Sequence, residues 1–131
     1  MHWNYRCPEC RAMLNPDRTI ILVAVSEGKR VLVGFHPEPG NYEIYLPPGT
    51  ATHPGSRWDF SCPVCNASLA TPDNDNLCAL VLEDEGGPQR VLFSRVAGEQ
   101  VTLVVGRRGV VREHGTHVEA YVGYARQMKY M

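Results

Sequence analysis

Trp3-Asn4-Tyr5-Arg6-Cys7-Pro8-Glu9-Cys10-Arg11-Ala12-Met13-Leu14 and Trp58-Asp59-Phe60-Ser61-Cys62-Pro63-Val64-Cys65-Asn66-Ala67-Ser68-Leu69 are one pattern written twice, 55 residues apart. Trp, both Cys, Pro, Ala and Leu are identical, and Asn/Asp and Tyr/Phe are chemically alike. Self-similarity at a fixed offset is the mark of repeated architecture. Pro16-Asp17 and Pro72-Asp73 follow in the two stretches after a slip of one residue. The match then continues as pattern: Ile20 to Val25 with Leu77 to Leu82, Val31 to Phe35 with Val91 to Arg95, and Tyr42 to Leu46 with Val101 to Val105. The 131 residues are therefore expected to form one domain made of repeat units 1–55 and 56–112 with a C-terminal helical extension, 113–131.

Each unit reads as a cysteine knuckle followed by a three-stranded meander. IILVAV and LCALVL are continuous apolar runs, which suits strands buried on both faces. The later strands alternate, as strands with one wetter face do. Glu27-Gly28, Pro39-Gly40, Gly86-Gly87-Pro88 and Gly98 supply the turns. A buried first strand is at odds with its place on the edge of a meander. The expected solution sets the two first strands side by side at a pseudo-twofold axis, in one sheet of about six strands. Two small sheets packed face to face are the competing arrangement. In the tail, Thr116-His117-Val118-Glu119 fits a capping box, and Val118, Tyr121, Val122, Ala125 and Met128 follow at helical spacing. One helix is expected over roughly 117–129. The fold class is thus mainly β with a C-terminal helix.

The chemistry rests on Cys7, Cys10, Cys62 and Cys65. Two intervening residues let both sulfurs of a pair face one ion, and two such hairpins give the tetrahedral thiolate set that Zn²⁺ prefers. One zinc per chain, shared between the units at the pseudo-twofold axis, follows from the duplication. Around these pairs the chain resembles zinc-ribbon and Cys-Pro-x-Cys zinc-binding proteins, over about a dozen residues at each pair. The resemblance implies a structural zinc held by four cysteines and carries no activity with it. Cys-Pro-Val-Cys with Trp3, Tyr5, Trp58 and Phe60 nearby is also similar to rubredoxins, which keeps iron as the minor alternative metal. Such knuckles often place Gly after the second cysteine, where this chain has Arg11 and Asn66. Asn accepts the left-handed backbone better than Arg does, so the first knuckle is expected to be strained or differently shaped.

Formal net charge is −1, which gives no long-range pull on nucleic acid. No apolar run approaches the length of a membrane span, and the N-terminal residues have no signal-peptide core, so a cytoplasmic protein is expected. Cys78 sits inside an apolar run and is expected in the core. His114 and His117 are assigned to the approach to the helix, not to a metal. No nucleophile and base stand together in a known motif, and four thiolates leave a zinc no open position, so no catalytic residue is assigned. The densest basic run, Arg107, Arg108 and Arg112, reads first as a solvated hairpin turn and second as a contact to phosphate or a partner. Tyr124 and Tyr130 lie off the helix stripe as candidate partner contacts. The sequence therefore points to a non-enzymatic zinc-binding module for protein interaction, regulation or assembly, whose partner is another protein or a second copy. A nucleic-acid-binding zinc-ribbon protein and a rubredoxin-like electron carrier are the alternatives.

Overall fold

The computed structural model describes residues 3–26, 28–50, 53–71, 76–84 and 87–121. Among these residues nine strands follow in chain order: β1 (Asn4–Arg6), β2 (Ile20–Ser26), β3 (Lys29–Phe35), β4 (Ile44–Tyr45), β5 (Asp59–Ser61), β6 (Leu77–Asp84), β7 (Gly87–Ser94), β8 (Thr102–Gly106) and β9 (Gly109–His114). They form two antiparallel sheets, a five-stranded one in the order β1-β6-β7-β8-β9 and a four-stranded one in the order β4-β3-β2-β5. The expected single six-stranded sheet does not occur. The first strands β2 and β6 are not neighbours, and the two-sheet arrangement is the one adopted.

The topology resolves the edge-strand conflict by exchange. β2-β3-β4 and β6-β7-β8 are the two meanders, and each gains a short strand from the knuckle of the other half. β1 pairs with β6 through Tyr5 opposite Leu82, and β5 pairs with β2 through Phe60 opposite Ala24. Each apolar first strand therefore runs in the interior of its sheet, which is why its hydrophobic run is unbroken. The registers correspond closely. Ile20 faces Phe35 as Cys78 faces Phe93, and Phe35 faces Ile44 as Phe93 faces Thr102. The knuckles keep the offset of 55, and the meanders correspond at 58, which shifts the expected matches of Ile20 with Leu77, Val31 with Val91 and Tyr42 with Val101 by one or two residues; the difference falls in the links after Leu14 and Leu69.

Side-chain alternation sorts the apolar residues. Leu22, Ala24 and Val33 from one sheet meet Leu80, Leu82, Val91 and Val104 from the other in the principal core, along with Tyr5, Trp58 and Phe60. The opposite face of the five-stranded sheet carries a second core of Leu77, Ala79, Leu92, Leu103 and Val105, against which Val118 and Tyr121 pack. The opposite face of the four-stranded sheet is covered unevenly: Leu32 is 58% exposed and Tyr45 45%, while Val23 beside Leu32 is buried. Gly34 on that face is required by close approach, because a Cβ there would lie 2.8 Å from Thr19 Cγ2 and 3.2 Å from the Tyr45 ring.

Two stretches depart from the expected elements. β4 is only two residues long, since Pro47 and Pro48 follow one residue later and cannot donate to a ladder. β9 is a strand where only a turn was expected. Arg107 and Arg108 do form an exposed turn, but the chain returns as a paired strand with a bulge at Val104/Val105. Gly115 then turns the chain at φ 109, with its Cα so close to Gln100 that a Cβ would sit 2.1 Å from that carbonyl oxygen. Helix is described at 119–121, and the rest of the expected helix, including Tyr124 and Tyr130, lies outside the described residues. The Thr116 hydroxyl donates to Gln100 Oε1 at 3.3 Å, and the first turn closes through the Ala120 and Tyr121 amides onto the His117 and Val118 carbonyls.

Candidate metal centre

The two knuckles have the same backbone plan. The Cys7 carbonyl accepts from the Arg11 amide at 3.0 Å, and the Cys62 carbonyl accepts from the Asn66 amide at 2.9 Å. Cys7 and Cys62 donate their own amides to the Ala12 and Ala67 carbonyls at 3.1 and 3.0 Å. This closes each Cys-Pro-x-Cys into a tight turn with both sulfurs on one side. The turn ends on a left-handed residue, Arg11 at φ 65 and Asn66 at φ 64. The first knuckle is therefore not differently shaped. Arg11 takes a conformation that costs a non-glycine residue about 1 kcal/mol or more. Two arginines brace these residues: Arg6 Nη1 donates to the Arg11 carbonyl, and Arg30 Nη2, from the opposing half, donates to Asn66 Oδ1, both at 2.9 Å. Nothing in the spacing of the cysteines announces either brace.

The strand exchange brings the knuckles together. All four sulfurs lie within 4.8 Å of one another, with Cys7 Sγ to Cys65 Sγ and Cys10 Sγ to Cys62 Sγ both 3.8 Å. Metal–sulfur bonds of about 2.3 Å in a tetrahedron set the sulfurs about 3.8 Å apart. The donor set and its dimensions thus fit a tetrahedral ion, and the group can hold one metal. Cys7 and Cys62 are fully buried, whereas Cys10 and Cys65 are exposed, so the site has a closed floor and an accessible rim. Backbone amides support the inner sulfurs, Glu9 N to Cys7 Sγ and Val64 N to Cys62 Sγ, each at 3.3 Å. These hydrogen bonds favour thiolate over thiol. Without a metal the cluster ionises unevenly. Burial pushes the Cys7 thiol up to about 12. Burial also opposes ionisation of Cys62, but the amides of Cys65 and Val64 and the thiols of Cys7 and Cys10 outweigh it and bring Cys62 down to about 7.

The other candidates lie apart from this cluster. Cys78 is fully buried in β6, where desolvation raises its thiol to about 12. His117 accepts the Gln100 amide on Nδ1 at 3.0 Å, and the His114 ring packs against Gly40. Neither belongs to a metal group among the described residues. Arg107, Arg108 and Arg112 are all exposed on the β8–β9 hairpin. Trp58 is 4% exposed and stacks on Phe60 at 6.4 Å, so its ring does not offer a face to a base. Among the described residues no helix is long and apolar enough to cross a membrane. Searched against protein-family models, curated proteins and solved structures, the chain matches none of them.

Proposed function

We propose that this chain is a zinc-binding protein whose four-cysteine site is structural and joins two copies of one ancestral unit. The observation that carries it is the group of four sulfurs within 4.8 Å of one another, drawn pairwise from the two halves, with two cross-pairs at 3.8 Å. Four thiolates fill the coordination of zinc, which leaves no position for a water nucleophile. The duplication draws support from the knuckles, whose backbone hydrogen bonds correspond, and from the matched registers of the meanders. Elemental analysis of the full chain purified without added metal should give one zinc per chain and a colourless protein. A red protein with one iron would replace zinc by the rubredoxin-like alternative. Absence of bound metal from carefully reduced protein would remove the site altogether.

The protein works, in this reading, as a cytoplasmic interaction or assembly module. The outer face of the four-stranded sheet supports this, since its Leu32 and Tyr45 are exposed where their counterparts on the other sheet lie in a buried core. Sedimentation of the zinc-loaded chain beside Leu32→Glu and Tyr45→Glu variants tests it. Self-association, or assembly with proteins from the native host, should be lost in the variants. Assembly that persists through both substitutions would move the interaction elsewhere on the molecule, and a wild-type chain that never assembles would remove this role.

A further inference from the structure

A cavity of about 380 Å³ lies between the two sheets, and none of the four cysteines lines it. Sandwich interiors normally pack with few voids larger than a water. A void of this size is within the range of small-molecule sites, which run from about 300 to 1,000 Å³. Its lining is continuous with the core: Leu22, Leu80 and Val91 are all buried. Its walls are aromatic. Phe35, Phe60 and Phe93 form a triangle with centroids 5.4, 5.7 and 6.0 Å apart. Phe35 and Phe93 occupy corresponding register positions in the two sheets, so the strand exchange builds this wall from both halves. The rim is polar, with Glu38, Asn41 and Gln100 exposed.

The polar groups restrict what the cavity can take. Thr102 Oγ1 donates to Tyr42 Oη at 3.0 Å, which leaves the Tyr42 hydroxyl its own proton to give. The Glu99 carboxylate accepts from the Ser94 and Tyr121 hydroxyls, each at 2.6 Å. Arg95 is engaged with the Asp59 carboxylate and the Trp58 carbonyl. An anionic ligand would thus meet the carboxylates of Glu38 and Glu99 and find the nearby cation already paired. Aromatic walls favour edge and offset contacts with another ring. We propose that this cavity is a binding site for a small, uncharged aromatic molecule bearing one hydrogen-bond acceptor, to which the Tyr42 hydroxyl donates. The proposal is independent of the metal's identity and of the interaction role.

Two probes with a common ring system test the charge preference. The zinc-loaded full chain is titrated with neutral N-phenyl-1-naphthylamine and with anionic 8-anilinonaphthalene-1-sulfonate, read by fluorescence. The neutral probe should bind with one-to-one stoichiometry and at least tenfold more tightly. Ala97 lines the cavity, and Ala97→Trp should fill it and abolish that binding. Because the variant could fold poorly, amide and methyl shifts of the wild-type chain provide an independent readout. On adding the neutral probe they should move around Phe35, Phe60 and Phe93 and stay fixed around Leu32 and Tyr45. Tyr42→Phe should weaken 2-acetylnaphthalene severalfold and leave naphthalene unchanged. Equal affinity for the sulfonate, shifts confined to the open sheet face, or a folded Ala97→Trp that binds as before would each overturn the proposal.

Discussion

The two sheets share a pairing scheme and differ in what covers them. In the five-stranded sheet Leu103 is fully buried, while Tyr45, which takes the corresponding place in the four-stranded sheet, is 45% exposed. Leu92 is fully buried where Gly34 stands in its counterpart. The difference begins after β8. There the chain continues into β9 and on to Val118 and Tyr121, which pack on the outer face. After β4 it meets Pro47-Pro48 and passes to the second knuckle. One ladder scheme thus gives a sheet with two cores and a sheet with one, and the segment after the last meander strand decides which.

The largest effect should come from the centre the two sheets share. Each knuckle donates a strand to the opposite sheet, so loss of one cysteine should weaken both. Cys62→Ser should abolish stoichiometric metal binding and lower stability by roughly 3 kcal/mol or more, about 10 °C in Tm for a chain of this size. Cys7→Ser should do the same. Calorimetry and metal analysis check this, and separate melting of two sheets, or a large difference between the two variants, would break the comparison. Acid should reproduce the loss in graded form. A metal bound by thiolates must displace protons from thiols, and burial raises Cys7 to about 12 while the hydrogen-bonded Cys62 sits near 7. Affinity should therefore rise with pH, and from pH 7 to pH 6 it should fall by about tenfold for each proton displaced. Competition with a chromophoric chelator at the two pH values measures it, and a flat profile would contradict thiol ligation.

The covered and open faces should separate next. Leu103→Ala empties a fully buried position and should cost about 2–5 kcal/mol. Tyr45→Ala should cost about 1 kcal/mol or less, because its ring is half in solvent already. Urea unfolding of both variants gives the values. Similar costs would mean that the outer face of the four-stranded sheet carries more packing than its exposure indicates.

Much of this was legible from residue order. The apolar runs of β2 and β6 and the cysteine spacing bring their local rules with them. The strand exchange was not. Tyr5 and Phe60 present the same alternation whether their strands pair with their own meander or the other, so local pattern is silent on the partner. β9 was hidden because Gly109-Val110-Val111-Arg112 is short and follows two arginines that mark a turn. The aromatic cavity was out of reach for a different reason. Phe35, Phe60 and Phe93 lie on three strands: the strand exchange sets Phe60 across β2 from Phe35, and the packing of the other sheet adds Phe93 within 6.0 Å.

The smallest effect probes the knuckles, where the two halves are most alike. Arg11 and Asn66 hold nearly the same left-handed backbone, φ 65 and φ 64, but their side chains differ in how well they tolerate it. Glycine carries no Cβ penalty there, so Arg11→Gly should relieve strain and raise stability by up to about 1 kcal/mol, offset by the greater freedom glycine gives the unfolded chain. Asn66→Gly should gain less, since Asn visits this region readily, and it also removes the acceptor that Arg30 uses at 2.9 Å. The Arg6 brace reaches the Arg11 carbonyl, a backbone group, and survives the first substitution. Arg11→Gly relieves the larger strain but also removes the Arg11 side chain's own interactions, so the difference between the two denaturant midpoints at fixed metal, expected to favour Arg11→Gly, measures strain net of those contacts. The reverse order would mean that the Arg11 side chain makes contacts worth more than its backbone strain, and that the first knuckle depends on them as the second depends on Arg30.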